Sequence, residues 1–556
     1  MRNKFFYILG MALMMPALLM GQPKWYKKAA KAVFTLKTFD SKGQMIASCN
    51  GFYIDADGKA LAAYAPFKGA YKAIIIDASG KQNNVSLILG ANEMYDVVKF
   101  KVDTKKAQPL TMVPADAGDD SKVWLIGYPA GNTQTCIEGT VNKSETVAGE
   151  YKYYTISMEN REGFDCCPIA DSDGRLIGIM QPGGTGGKIY ALSARYAESL
   201  IIKGLSVNDP ALKAIGIKKD LPNDPQQAIL TLFISSSSSD TLAHAGIVDD
   251  FIAKFPTLPD GYVSRAHLEV TKNRFEDADA DMAKAIEVAE KKEDIHYNYA
   301  RMIYNHLLTS TNPYEAWTYD KAIGEADAAY AANPMMAYRQ LKAQILYSNV
   351  KYQEAFDIYQ TIINSREANA DIWFEASQCK SALNDTTAQM ALLDSCIATF
   401  SKPYLKTAAP YILARANAQI IAKKYRAAVA DLTTYEGLMQ TEVNANFYYR
   451  RHQAELEGRM FQQALNDITK CTELEPTNTF YMAERASLLI RVSMIDDAIE
   501  QANEIVKTDA NNSDGYLFLG VAQCIKGNKT EGVANLKRAK DMGDNQAQSL
   551  IDKYGK

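Results

Sequence analysis

The chain has 556 residues, 47% of them hydrophobic and 23% charged, and a formal net charge of −4. That length exceeds what one hydrophobic core organises, so at least two domains are expected. The composition is that of a soluble globular protein, and the lack of a basic excess argues against a nucleic-acid partner.

In chain order, Arg2 and Lys4 precede an apolar run from Phe5 to Met20, and Gly21 offers a small residue before Gln22. A cationic start, a short apolar centre and a small residue at the end describe a secretory signal peptide over residues 1–21. Gly10 and Pro16 interrupt the run, which is short against the ~20 residues of a spanning helix. No Cys follows it, which argues against a lipid-modified N-terminus, and no later stretch is long and apolar enough to cross a bilayer. The expected mature chain is exported (periplasmic, outer-membrane-associated or secreted) with no transmembrane segment after cleavage. Its cysteines then meet oxidising conditions. The eight contain no CxxC pair and no Cys/His cluster, so neither a metal site nor a cofactor is expected.

Residues 28–203 read as short strands punctuated by DG, SG and PAG turns: AVFTLKTF, GFYIDADGKALAAY, AIIID, NVSLILG, DVVKFKV, KVWLIGYP, YYTISM and RLIGIM. This alternation predicts an all-β barrel or sandwich. Residues 204–224, rich in Asn, Asp and Pro, form a connector.

From 225 onward the pattern is helical, and it repeats. Small residues recur twelve apart as Ala266/Ala278, Ala343/Ala355, Ala376/Ala388, Ala416/Ala428, Ala486/Ala498 and Gly520/Gly532, with Ala464 in the same series. Successive units step by 34 residues near the end and by 33 to 41 elsewhere. Pro334 and Pro476 fall where one unit turns into the next. Small side chains let paired helices cross closely and proline stops the second helix, which together mark a tetratricopeptide-repeat solenoid. Eight or nine units fill 225–545, and 546–556 close the array as a capping helix. Such a solenoid exposes a concave groove lined by the first helix of each unit. By repeat position the groove candidates are Asn417, Asn446, Tyr449, Gln453 and Phe480, and the expected occupant is a protein or peptide.

The β half resembles the trypsin-like serine proteases, especially the high-temperature-requirement branch. The resemblance rests on NGFYIDADGKALAAYAPFKGA, EMYDVVKFKV, GFDCCPIADSDGRLIGIM and GGTGGKIYAL. It implies a double β-barrel and aligns three positions with the catalytic triad: Ala65 for the histidine, Asp96 for the aspartate and Asp165 for the serine. Cys166 and Cys167 replace the two glycines after the nucleophile. Acyl transfer on this fold needs a hydroxyl nucleophile, an imidazole base and a group orienting it. All five histidines (His244, His267, His296, His306, His452) lie beyond residue 240, so no shift of register restores a Ser–His pair in the barrels. The resemblance therefore implies a degenerate protease without catalytic residues.

The same resemblance brings the strand of Cys49 close to the nucleophile loop. Cys49 is then expected to pair with Cys166 or Cys167, and Cys136 with the other, each bond contributing roughly 3–4 kcal/mol in the chain-entropy model. Three functions follow from these readings. They are a non-catalytic scaffold recognising a protein or peptide, a peptidase using an unrecognised catalytic group such as the Asp96/Asp165 pair or a cysteine, and a regulatory subunit of an active envelope protease.

Overall fold

A computed structural model describes residues 22–127, 135–159, 163–237 and 239–555. The expected signal peptide lies outside the described residues. The first barrel is closed from strands β1 (Val33–Phe39), β2 (Met45–Tyr53), β3 (Lys59–Ala62), β4 (Lys72–Ile76), β5 (Gln82–Asn92) and β6 (Val97–Val102), in the order β1-β2-β3-β6-β5-β4. The second is closed from β7 (Lys122–Gly127), β8 (Thr135–Val147), β9 (Tyr151–Ser157), β10 (Pro168–Ala170), β11 (Leu176–Gln181) and β12 (Lys188–Ser193), in the order β10-β11-β12-β9-β8-β7. All pairings within the two barrels are antiparallel.

Alternation explains the interiors. Phe34 and Leu36 of β1 and Phe100 of β6 fill the first barrel, and Val123, Leu125 and Ile156 fill the second. A third apolar cluster, with Phe52, Leu61, Ile126, Cys166 and Leu176, lies where the barrels meet. It includes Tyr26, on the short helix Tyr26–Ala29. The preceding Trp25 is pinned by its indole N–H, which donates to the Ser172 carbonyl at 2.7 Å.

The connector is folded, not extended. Leu212, Ile215 and Ile217 are buried in the first barrel's core, and the Ile88 amide and carbonyl pair with Lys218 O and Asp220 N at 2.8 and 2.9 Å. Lys218 and Lys254 form ion pairs with Asp250 and Asp220, which tie the connector to the helix Thr241–Lys254.

The chain divides into two compact units between Ala289 and Glu290. Two helix pairs, Pro225–Ser236 with Thr241–Lys254 and Pro259–Thr271 with Phe275–Val288, belong to the barrel-bearing unit. The second unit is helical, with seven pairs from Lys292–Thr309 to Lys529–Asp541 among the described residues and a last helix Ala547–Tyr554. The small-residue spacing has a steric cause. A β-carbon added to Gly520 would sit 2.8 Å from Gly532 O, and one added to Gly532 would sit 2.8 Å from Gly520 O. One pair departs from this rule: His452 occupies the small residue's place, fully buried, and its Nδ1–H donates to Ala464 O at 2.8 Å.

Beside these crossings lies a device the sequence reading did not include. Arg265, Arg415 and Arg451 each precede the crossing residue by one position, and each bonds an aspartate sixteen residues on: Asp281, Asp431 and Asp467. Nε and Nη2 of each guanidinium donate to the two oxygens of one carboxylate, at 2.6–2.8 Å. In the next unit Gln501 replaces the aspartate and accepts from Arg485.

Candidate functional site

The triad-equivalent positions converge in part. Ala65 opens the turn Ala65–Phe67 just after β3. Asp96, immediately before β6 and in a left-handed conformation (φ 44°), accepts the Ala65 amide hydrogen through Oδ1 at 2.7 Å. Asp96 thus orients the backbone at the histidine position, with only a methyl group beside it. Asp165 is exposed in the turn before β10 and makes no hydrogen bond to Asp96. The two side chains therefore do not form the hydrogen-bonded carboxylate pair that sharing a proton requires.

Three anchors hold the turn that carries Asp165. Asn50 Nδ2, buried on β2, donates to the carbonyls of Gly163 at 2.8 Å and Asp165 at 3.4 Å. Phe164 folds into the second barrel's core over Gly127, where any side chain would run into its ring. Cys166 adopts φ 65°, a left-handed conformation that favours glycine, and donates its amide to Met180 O at 3.1 Å. The larger residue is accommodated in that conformation.

Among the described residues no disulfide joins any of the eight cysteines. The Cys166 thiol is hydrogen-bonded to that of Cys49 and faces the Ala63 backbone and the Asp96 carboxylate. Cys136 and Cys167 both lie near the Tyr26 hydroxyl. The thiol contact with Cys49 and burial push Cys166 well above its ordinary value. Burial, then the Glu138 carboxylate, pushes Cys136 up to about 11. A nucleophilic cysteine needs the opposite shift.

A buried Ser–His contact does exist, in the first helix pair. Ser235 Oγ lies 2.8 Å from His244 Nδ1 and also donates to Leu232 O at 2.8 Å. Both side chains are buried and burial lowers the His244 pKa, so the pair ties two helices together and offers no exposed hydroxyl. Among the described residues no group of His, Cys, Asp and Glu is arranged to hold a metal ion, and no helix is long and apolar enough to cross a membrane.

In the second unit the groove candidates fall into two neighbouring groups. Asn417 and Asn446 line a cavity of about 200 Å³ walled by Leu413, Ile420, Tyr435 and Phe447. Arg450, absent from the sequence-derived set, lines the same cavity and donates to Asn417 Oδ1 at 2.9 Å. Tyr449 meets Phe480 edge-on, with centroids 5.2 Å apart, and also packs on Tyr481 and His452. Phe480 is half exposed, and Gln453 is exposed beside Tyr449 and bonds its hydroxyl. The cavity has apolar walls and an amide-and-guanidinium mouth. Asparagine offers both a donor and an acceptor, as a peptide group does, so the mouth suits an extended backbone and the walls an apolar side chain.

Residues 49–179 match the family model of the trypsin-like peptidase domain. The chain is 25% identical over 133 residues to the small glutamine-rich tetratricopeptide repeat-containing protein 2 of Saccharomyces cerevisiae, covering 24% of this chain and 38% of that protein. It is 30% identical over 98 residues to the TPR repeat-containing thioredoxin TDX of Arabidopsis thaliana, covering 17% and 26%. It thus spans well under half the length of these curated relatives. Among solved structures, the active form of the Rv3671c protease from M. tuberculosis aligns at 16% identity and a TM-score of 0.28, covering 31% of this chain and 81% of that one. The serine endoprotease from Yersinia pestis aligns at 17% and 0.28, covering 32% and 66%. The chain joins a trypsin-like domain to tetratricopeptide repeats.

Proposed function

We propose that this chain is an exported, non-catalytic scaffold whose repeat groove holds a protein or peptide partner and whose trypsin-like domain is a pseudoprotease. One observation carries the non-catalytic reading: Asp96 binds the backbone of Ala65, in a domain whose sequence has no histidine to act as base. The raised thiols argue against a cysteine nucleophile, and the exposed Asp165 argues against a carboxylate pair. The residue pattern of 1–21 supports export, and an oxidising compartment would let the adjacent Cys49 and Cys166 form a disulfide. The groove reading rests on the cavity shared by Asn417, Asn446 and Arg450, beside the exposed ring of Phe480.

The test is labelling of the full mature chain with serine- and cysteine-directed activity probes, together with cleavage of casein and a peptide library. No labelling and no cleavage are expected. Cleavage abolished by Asp165→Ala or Cys166→Ala would overturn the reading. In a peptide-binding assay on the full chain, Asn446→Ala and Arg450→Ala are expected to weaken the partner captured by wild type. Unchanged capture would remove the groove from the proposal.

A further inference from the structure

A lysine without a carboxylate partner lines a cavity that no step above uses. Lys99, on β6, lines a cavity of about 620 Å³ in the barrel-bearing unit, and its ammonium donates to the Ala197 carbonyl at 2.6 Å. Among the described residues no carboxylate lies within ion-pair distance of it. The other charged groups of the cavity are committed or at its rim. Lys59 is paired with Asp55 at 2.9 Å. Asp220 accepts from Lys254 at 3.1 Å and from the Leu221 amide at 2.8 Å. Asp224 caps the helix Pro225–Ser236 through the Gln227 amide at 2.9 Å, and Lys203 is exposed. Glu198, whose carboxylate favours the Lys99 charge, is exposed and leans toward Arg195 at 4.0 Å.

The uncharged lining joins an aliphatic wall of Leu89, Leu200, Ile201, Ile202, Leu221 and Pro222 to two amides, Asn223 and Gln227, and the Gln227 oxygen already accepts from the Gly204 amide at 3.0 Å. Gly90 lets the Leu200 backbone approach β5, since an added β-carbon would sit 2.6 Å from it. A half-buried ammonium gains when an anion meets it, and an aliphatic wall is costly while it faces water. One ligand chemistry answers both. We infer that this cavity binds a small carboxylate with an apolar tail, its carboxylate on Lys99 and its tail along Leu89, Leu200 and Ile202.

Burial, with Lys59 close by, lowers the Lys99 pKa to about 8, so such binding is expected to weaken as pH rises through that value. The charged groups around Lys99 are Lys59, Glu198, Lys203, Asp220 and Asp224.

The experiment is calorimetric titration of the full chain with octanoate, octanol and inorganic phosphate. Octanoate is expected to bind, and Lys99→Met, which keeps the aliphatic stem, to weaken it about tenfold or more, as loss of a charge-assisted hydrogen bond does. Equal affinity in the variant, octanol as tight as octanoate, or phosphate as tight as octanoate would each overturn the inference. A second readout needs no variant. Acetylation of wild-type Lys99, followed by mass spectrometry, is expected to slow when octanoate is present, and an unchanged rate would also overturn it.

Discussion

The turn Gly163–Cys167 in the second barrel and the helix pair Ala445–Leu474 in the repeats both bury polar groups, by opposite means. Beneath the turn the buried groups are neutral: two thiols in contact and an asparagine amide reaching two carbonyls. In the helix pair the buried ions are Arg451 and Asp467. Glu436, on the preceding helix, also meets the guanidinium, and the Glu455 carboxyl lies beneath. Neutral contacts lose little when one member goes, because no charge is left behind. A charged cluster is more fragile, because each ion is tolerated only through the others. Substitution in the barrel loop is therefore expected to leave its frame intact, whereas the repeat pair is tied to its arginine.

The largest expected effect would change the neutral side of this contrast into a covalent one. Oxidation of Cys49 and Cys166 closes a loop of about 117 residues, long enough for the chain-entropy model to give about 5 kcal/mol of stabilisation, above the roughly 3–4 kcal/mol expected from the sequence. The two thiols lose two protons and two electrons to an oxidising disulfide partner, which is itself reduced. Non-reducing peptide mapping of the full chain, produced in an oxidising compartment, should find 49 joined to 166. Thiols at both positions, or a 49–167 link, would show the contact to be non-covalent.

Next comes the charged side. Arg451→Met leaves Asp467 buried without its partner and is expected to destabilise the repeats by about 3–5 kcal/mol in urea unfolding. The double variant Arg451→Met/Asp467→Leu should recover most of that loss. A single variant as stable as wild type would mean that water reaches Asp467 and that the two regions do not differ in the way described.

Glu455 gives a smaller, pH-resolved version of the same test. Burial first, then the Asp467 carboxylate, raises its pKa from the ordinary 4.5 to about 8. The folded protein therefore holds this proton where the unfolded chain releases it. The associated stability is fully present below about 4.5 and is lost as pH rises toward and through 8. His452 works in the other direction. Burial lowers its pKa, so stability is lost as pH falls below about 6.5. Glu455→Gln keeps a hydrogen-bond donor and removes the titration. Its melting temperature is expected to gain about 2–4 °C on wild type between pH 5 and pH 8, as 1 kcal/mol gives in a domain of roughly this size. Parallel melting curves across that range would place Glu455 in water.

Much of this architecture is legible in the sequence because it depends on single-residue periodicities. Phe34 and Leu36 alternate inward, and Gly520 and Gly532 stand twelve apart because nothing larger fits. Features that depend on partners far along the chain are harder to read. Strand β8 (TCIEGTVNKSETV) has only two fully buried positions, so its mostly solvated hairpin carries little apolar signal. The Arg–Asp bridges span two helices at a spacing that composition does not reveal, and His452 hides a crossing behind a large side chain. At the groove, Asn417 and Asn446 are found from repeat position, but Arg450 is not. Its cavity also involves the longer turn Gln440–Glu442, where the step from 416 to 452 is 36 residues. In the barrel, family resemblance aligns Ala65 with Asp96, and the structure supplies the hydrogen bond between them. The choice of Cys166 over Cys167 as the neighbour of Cys49 depends on which side of the turn faces β2, which spacing alone leaves open.

The smallest expected effect compares the turns inside the repeats. Between the two helices of most pairs, one residue takes a left-handed conformation: Asn273, Val350, Asn384, Lys423, Arg459, Ser493 and Gly527. Glycine and asparagine adopt it readily, but a β-branched side chain crowds the following carbonyl, at a cost of roughly 1–2 kcal/mol. Val350 (φ 61°) is 68% exposed, so it recovers little of that cost by burial. Glycine there relieves the crowding but frees the unfolded chain, which returns roughly 0.5–1 kcal/mol. The net gain expected for Val350→Gly is thus about 0.5–1 kcal/mol, read as a rise in urea midpoint with unchanged slope. Gly527→Val should lose a comparable amount. If Val350→Gly were destabilising, the valine would be held in place by contacts that its exposure does not show, and the turns would differ from one another in kind and not only in residue.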